Sequence, residues 1–449
     1  MKLVALLKDS CREAIDRKIF AAMLVLSGLV TLFVASISFR QISLEDELKS
    51  TTGQISYFMR MDPNLGKPTF AIENFRQTND AAEPWKGDYS FDWVITVNDA
   101  DKLKRVPLAT RYQVKKMIRD GMNYLNSVEV SENSSKEPTE ARFTVTTRGT
   151  KVPDRLAWRH EPSVLFAVPV PFIHTSLREG VYFIEDTLVG GLGAWVAVLV
   201  GVICTASFIP NMLQKGSVDL ILAKPVRRVG LLIYKYIGGL IFVLLLTAAS
   251  VLGVWTAIGL RTGVWSPEFL LIIPAVTFYF ALLYAVSTLA AVLTRSAVVA
   301  ILMTCAVWFG LWLNGTVHNF LDGVRKAKTE VESQLRKQAG LPKADEKAKD
   351  PEEKAVEEEE RQSGRSRLDV PPWVYATSDF LYKALPRTGD LNKLTTHWIA
   401  RGVLTEAEIK ERKLDQAEKP LWGEAFGVTG AFIAVMLGLA CWRFVRADY

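Results

Sequence analysis

Twenty-two consecutive uncharged residues, LVGGLGAWVAVLVGVICTASFI (188–209), leave this chain few ways to fold. As a helix rising ~1.5 Å per residue, such a stretch crosses the ~30 Å hydrocarbon core of a bilayer. A second uncharged run follows at 236–260, so the segment between them, 210–235, is a short loop joining two spans. That loop carries Lys215, Lys224, Arg227, Arg228 and Lys235 against one acid, Asp219. Short basic loops stay on the cytoplasmic side, which orients both spans and, from them, the rest of the chain.

Four further spans are expected at 19–39, 269–293, 297–313 and 424–444. The fold class that follows is an α-helical polytopic membrane protein with six transmembrane helices and both termini inside. Residues 1–18 place Leu3, Leu6, Leu7, Cys11, Ala14 and Ile15 on one helical face among basic residues, the pattern of an amphipathic helix lying in the interface. Residues 40–187 are then extracytoplasmic. The runs FDWVITVND (91–99), ARFTVTTRG (141–149) and SVLFAVPV (163–170) read as strands, and 109–125 reads as an amphipathic helix, giving an α+β domain with its own core. Residues 314–423 form a second extracytoplasmic insertion. Its mixed-charge stretch 325–367 reads as solvated helix or disorder. Its aromatic stretch 371–401 reads as a segment resting on the outer interface or closing the outer end of the helices. Thr405 with Glu408 makes a capping box for a short helix. Apolar spans mixed with polar domains account for a mean hydropathy of only +0.15. The net charge of +6 gathers beside the spans, so it is no nucleic-acid signature. Cys11, Cys204, Cys305 and Cys441 all fall outside the two outer regions, which must be stable without disulfides.

The chemistry that is missing narrows the function. No span carries an Asp, Glu, Lys, Arg or His away from its ends, which disfavours proton- or sodium-coupled carriers and intramembrane enzymes. No phosphate-cradling G-x-x-x-x-G-K-[ST] loop occurs, so a nucleotide engine must sit on another polypeptide. His160, His174, His318 and His397 are scattered, and no metal site is expected. Small residues recur at helical spacing at Gly193, Ala197 and Gly201 and again at Gly423 and Gly427, stripes that let helix backbones approach within a bundle or across a dimer seam.

The basic loop resembles the first cytoplasmic loop of ABC-2 type transporter permeases, including the group associated with multi-copper enzyme maturation. In QKGSVDLILAKPVRRVGLLIYKYIGG (214–239) the matching residues are Gly216, Leu220, Leu222, Ala223, Lys224, Pro225, Val226 and the Lys235-Tyr236 pair. Ser217, Asp219 and Arg227 stand where the family usually has Thr, Glu and Ser. The interfacial N-terminal helix and LPRTGDLNKL (385–394) before the last span are two further similarities. The two outer regions are not covered by the resemblance.

On its own residues the loop forms a short helix that Pro225 stops at or before Lys224. The resemblance implies that this is the coupling helix seated in a separate ATP-binding subunit. Gln214, Lys215, Gly216, Asp219, Leu222, Lys224, Pro225 and Arg227 would then make the contact. It further implies a non-catalytic permease subunit, an exporter by the family's usual direction, paired with a second permease copy in a bacterial inner membrane. ATP and Mg would be bound by the partner, and no cofactor by this chain. A different class of function, a polytopic anchor presenting its outer domains for envelope assembly or signalling, is suggested by the size of those domains.

Overall fold

The computed structural model describes residues 18–59, 69–96, 115–116, 118–119, 121–122, 124–133, 139–151, 154–170, 174–189, 192–212, 228–338, 370–412, 414 and 422–446. Residues 1–17 of the expected interfacial helix, and 213–227 of the basic loop, lie outside them.

The chain enters through helix α1 (Lys18–Ala35), which contains no acidic or basic residue beyond its first position. Strand β1 (Ser38–Gln41) follows at once, then α2 (Leu44–Met59). Strands β2 (Thr69–Gln77), β3 (Tyr89–Thr96), β4 (Leu125–Asn133) and β5 (Glu140–Thr150) form an antiparallel sheet in the order β2-β3-β5-β4. Period-two alternation explains its core. Trp93 faces Phe143 across the β3–β5 ladder, and Phe91 faces Val145. All four are buried, with Leu44 and Leu48 of α2 and with Ile118, Met122, Leu125 and Trp158. Burying each large side chain of this kind contributes about 1.5–3 kcal/mol. The helix expected over 109–125 lies largely outside the described residues, but its Ile118 and Met122 belong to this core.

A second, smaller sheet forms the stem of this α+β unit. Strand β6 (Arg159–Val164) pairs antiparallel with β1, with β7 (Val168–Pro169) and with β8 (Thr175–Ser176). The strand that leaves α1 and the strand that leads into α3 (Leu177–Val189) therefore meet on one partner. The whole unit is an insertion whose two ends are tied together.

Beyond α3 come α4 (Leu192–Thr205), α5 (Phe208–Met212) and α6 (Arg228–Thr262). A 3₁₀ turn (Pro267–Leu271) leads to α7 (Ile272–Thr294), and α8 (Ala297–Gln338) follows. Helix α7 ends where Arg295 takes a left-handed φ of 55° and returns its N–H to Ala291 at 2.8 Å. Helices α9 (Pro372–Ala384), α10 (Thr388–Val403), α11 (Glu406–Glu411) and α12 (Trp422–Arg446) complete the chain.

Four helical stretches are long and apolar enough to cross a membrane: Arg228–Thr262, Pro267–Thr294, Ala297–Ala327 and Gly423–Arg446. Two shorter apolar helices, Phe20–Ala35 and Val196–Met212, occupy the other two positions where spans are expected. The expected boundary at 313 falls inside a 42-residue helix. No proline interrupts 297–338, and Asp322 pairs with Arg325 at 2.7 Å and Lys326 at 2.8 Å, so the helix continues as its character turns polar. Residues 339–367 of the mixed-charge stretch lie outside the described residues. The aromatic stretch folds as α9 and α10, and the capping box forms, with Thr405 Oγ1 accepting from the Glu408 N–H and Glu408 accepting from the Thr405 N–H.

Candidate functional site

Helix α7 is the axis of the bundle, and its packing begins with residues that leave room. Tyr284, Phe280 and Leu282 to Ala285 are almost wholly buried on it. Tyr236 of α6 stacks on Tyr284 at 5.2 Å and donates a 2.7 Å hydrogen bond to the Ala281 carbonyl. Phe280 also stacks on Tyr284, at 5.1 Å. This approach depends on Gly239 of α6, where a Cβ would stand 2.5 Å from Tyr284 Cε1. Gly253 makes the equivalent space between α6 and α1. Its missing Cβ leaves room for Thr31 of α1, and the nearby Ser250 Oγ donates to Ser27 Oγ at 2.8 Å.

The five small residues of the sequence stripes are distributed differently. Gly201 in α4 lies against Phe280, 3.3 Å from where its Cβ would be. Ala197 is exposed. The surroundings of Gly193 lie outside the described residues. Gly423 and Gly427 of α12 have nothing within 4 Å of a built Cβ. Neither Gly239 nor Gly253 belongs to those stripes, although Gly238-Gly239 inside an uncharged run is a signal for close helix approach.

The eight loop residues Gln214, Lys215, Gly216, Asp219, Leu222, Lys224, Pro225 and Arg227 lie outside the described residues. Both roots of the loop are described. Helix α5 ends at Met212 with Ile209 and Met212 buried, and α6 starts with Leu231 and Leu232 buried, all four in the one cluster built on α7. The two roots of the loop are thus held in the same buried cluster.

At the opposite end of α6 the bundle meets the α+β unit through a chain of polar contacts. Tyr124 Oη donates to Glu47 at 2.6 Å, and Arg159 Nε lies 3.3 Å from the other oxygen of Glu47. The Arg159 guanidinium also covers the Tyr124 ring at 4.6 Å and reaches Glu179 of α3 at 3.7 Å. Glu179 in turn accepts from Arg412, just past α11, at 2.6 Å. Burial raises the Glu47 carboxyl, with Arg159 and Tyr124 opposing. Burial pushes Glu179 the same way, but Arg412 and Arg159 prevail and hold it below the ordinary range.

Further along α3, Asp186 accepts from Thr396 of α10 at 2.8 Å. Beside it Glu185 is fully buried, and one of its oxygens accepts from Ser266 Oγ at 2.6 Å. Its other oxygen has no hydrogen-bond partner among the described residues. Burial pushes this carboxyl up to about 8, with nearby Glu268 adding to the shift. Helix α10 closes over the same place. A Cβ on Gly402 would stand 2.6 Å from Glu268 Oε2. Helix α3 is thus a shaft with the α+β unit on one side, the turn between α6 and α7 on another, and α10 with α11 on a third.

Among the described residues no group of three or more histidine, cysteine, aspartate or glutamate side chains could hold a metal. His160 is buried with Nδ1 2.9 Å from the Trp158 carbonyl, and His318 stacks on Tyr382 at 3.8 Å. Both serve packing.

A family model described as ABC-2 family transporter protein matches residues 5–449. No curated protein and no solved structure matches the chain.

Proposed function

The chain belongs to the ABC-2 transporter family, a family of membrane transport components, and on that premise we propose that it is the permease subunit of an ATP-driven exporter. Membership in this family implies association with an ATP-binding subunit. The segment that would meet it is 213–227, with Gln214, Lys215, Gly216, Asp219, Leu222, Lys224, Pro225 and Arg227 making the contact. The observation that carries this reading is that both loop roots are buried in the one apolar cluster that includes α7, with Tyr236, just past the second root, bonded to the Ala281 carbonyl of α7. A displacement applied to a loop so rooted is passed into the packed cluster that includes α7. ATP and Mg act on the partner, and this subunit hydrolyses nothing. Two copies work together in a bacterial inner membrane, with both termini and the loop in the cytoplasm and the α+β unit outside.

Replacing Gly216 or Asp219 tests the reading. Gly216→Pro is expected to leave insertion and the α+β unit unchanged while abolishing ATP-dependent transport by the reconstituted complex. Unchanged transport in that variant, or vigorous ATP hydrolysis by the permease purified without its partner, contradicts it.

A further inference from the structure

The turn between β6 and β7 is built against the usual chemistry of a hairpin. Leu165 and Phe166 both adopt left-handed backbone, with φ of 51° and 67°. Glycine, asparagine and aspartate normally take such positions, because a Cβ crowds there and bulky side chains crowd most. The two residues are also turned outward, Leu165 63% and Phe166 60% exposed, and Val168 beside them is 54% exposed. A turn in water has every reason to be polar. This one combines strain with three exposed apolar side chains.

Its position supplies the reason. The Phe166 N–H donates to the Ser36 carbonyl at 2.9 Å, and the Leu165 N–H donates to Ser36 Oγ at 3.2 Å. Ser36 directly follows the last residue of α1, whose exposed Leu29, Leu32 and Phe33 form the apolar face leading up to the turn. From the end of α6, the Arg261 guanidinium covers the Phe166 ring at 5.1 Å and donates from Nε to the Ala35 carbonyl at 2.8 Å. Leu260 beside it is 79% exposed. Two apolar helices thus end together, with an arginine, an aromatic ring and aliphatic side chains facing outward at that level. This is the composition of a membrane–water interface, where rings sit at headgroup depth and arginine reaches lipid phosphate.

We propose that the β6–β7 turn is a foot of the α+β unit, resting in the interfacial layer of the phospholipid leaflet around the ends of α1 and α6, with Arg261 beside the lipid phosphates. The occupant is lipid, because the turn continues the exposed apolar face of α1 without a break. The foot rests on the reading that α1 and α6 cross the membrane. It gives the stem sheet a fixed depth, so movement of α1 and α6 is passed to the α+β unit through a point held at the surface.

The test is spin-label accessibility in the full chain, reconstituted in phosphatidylethanolamine–phosphatidylglycerol vesicles. Single cysteines are placed in a background with the four native cysteines replaced by serine. Labels at Leu165→Cys and Val168→Cys are expected to meet dissolved oxygen more readily than a water-soluble nickel chelate. A label at Glu129→Cys, exposed on β4, is expected to show the reverse. A label at Leu29→Cys reports the span itself. Oxygen preference at Leu29 with nickel preference at Leu165 overturns the foot alone, whereas nickel preference at both overturns the spanning reading. Strong spin–spin broadening at Leu165 that dilution with unlabelled protein removes would put a second copy there instead, and also overturns the foot. The double variant Leu165→Asn, Phe166→Gly suits the left-handed backbone and is expected to fold normally in detergent. In vesicles it should shift the Val168 label towards the nickel chelate, and an unshifted label contradicts a role for the two side chains.

Discussion

The α+β unit and the helical bundle solve the same packing problem by opposite means. The unit alternates apolar and polar residues along its strands, so one face of the sheet makes the core, while charged side chains reach one another around it. The bundle has almost no charge to arrange. It is fixed where a glycine admits an aromatic ring or a hydroxyl from the next helix, as Gly239 admits Tyr284 and Gly253 admits Thr31. Helices in lipid gain little from hydrophobicity alone, since the tails around them are equally apolar, so close contact must hold them. The unit should therefore respond to changes of charge and the bundle to changes of volume.

The largest expected effect breaks the charge side. Arg159→Ala leaves the buried Glu47 and partly buried Glu179 carboxylates without their shared partner. Removing one member of a buried ion pair costs roughly 3–5 kcal/mol, and the partial exposure here puts the loss at about 3. Thermal unfolding of the purified protein should show a drop of several degrees, and an unchanged midpoint would remove Arg159 from the account. Next comes volume. Gly239→Ala drives a methyl into the Tyr284 ring, against which Tyr236 and Phe280 both stack. Overpacking of this kind costs about 1–3 kcal/mol. The companion change Tyr284→Leu should recover some of that loss, and a double variant no better than the single one would show that the clash is not with this ring.

The titration of Glu185 joins the two regions. Its folded value of about 8 lies above the ordinary 4.5, so the folded state holds the extra proton between those two values. The stability that Glu185 contributes is therefore fully present below about 4.5 and is lost as pH rises towards 8. Glu185→Gln imitates the protonated form and should flatten the decline, exceeding the parent in stability at pH 8.5. Equal pH profiles for parent and variant would contradict this. The smallest effect belongs to Gly427→Ala. With open space at its Cβ position, the change should be neutral or stabilise α12 by up to about 1 kcal/mol, the ordinary gain of alanine over glycine in a helix. A loss of dimer on size-exclusion chromatography would instead place Gly427 in a seam between copies.

Legibility in the sequence follows the same division. Apolar runs and period-two strands are local patterns, so the apolar helices around α7, strands β3 and β5, and the Thr405 cap can all be read directly. The run 163–170 reads as one strand, but the chain turns at 165–167 between β6 and β7, because a short apolar run does not show where the backbone takes left-handed φ. The Arg159 network cannot, because Glu47, Tyr124, Arg159, Glu179 and Arg412 are far apart along the chain and meet only through the stem sheet. The glycine stripes show that close approach is needed but not which glycines provide it. Facing partners decide that, and they come from other helices. Glu185 is hidden because it stands just before an uncharged run, where an acid reads as a boundary. The continuation of α8 past 313 is masked by composition, since a helix can outlast the apolar segment that marks it. The loop 213–227 is legible as a resemblance.

The most direct test of the central claim is affinity purification of the full-length protein from native membranes, with and without scrambling of residues 215–224. Recovery of a soluble Walker-motif ATPase with the natural sequence, and its loss with the scramble, is the predicted result. A set of co-purifying proteins without such an ATPase, unchanged by the scramble, would contradict it and favour an anchor for envelope assembly or signalling.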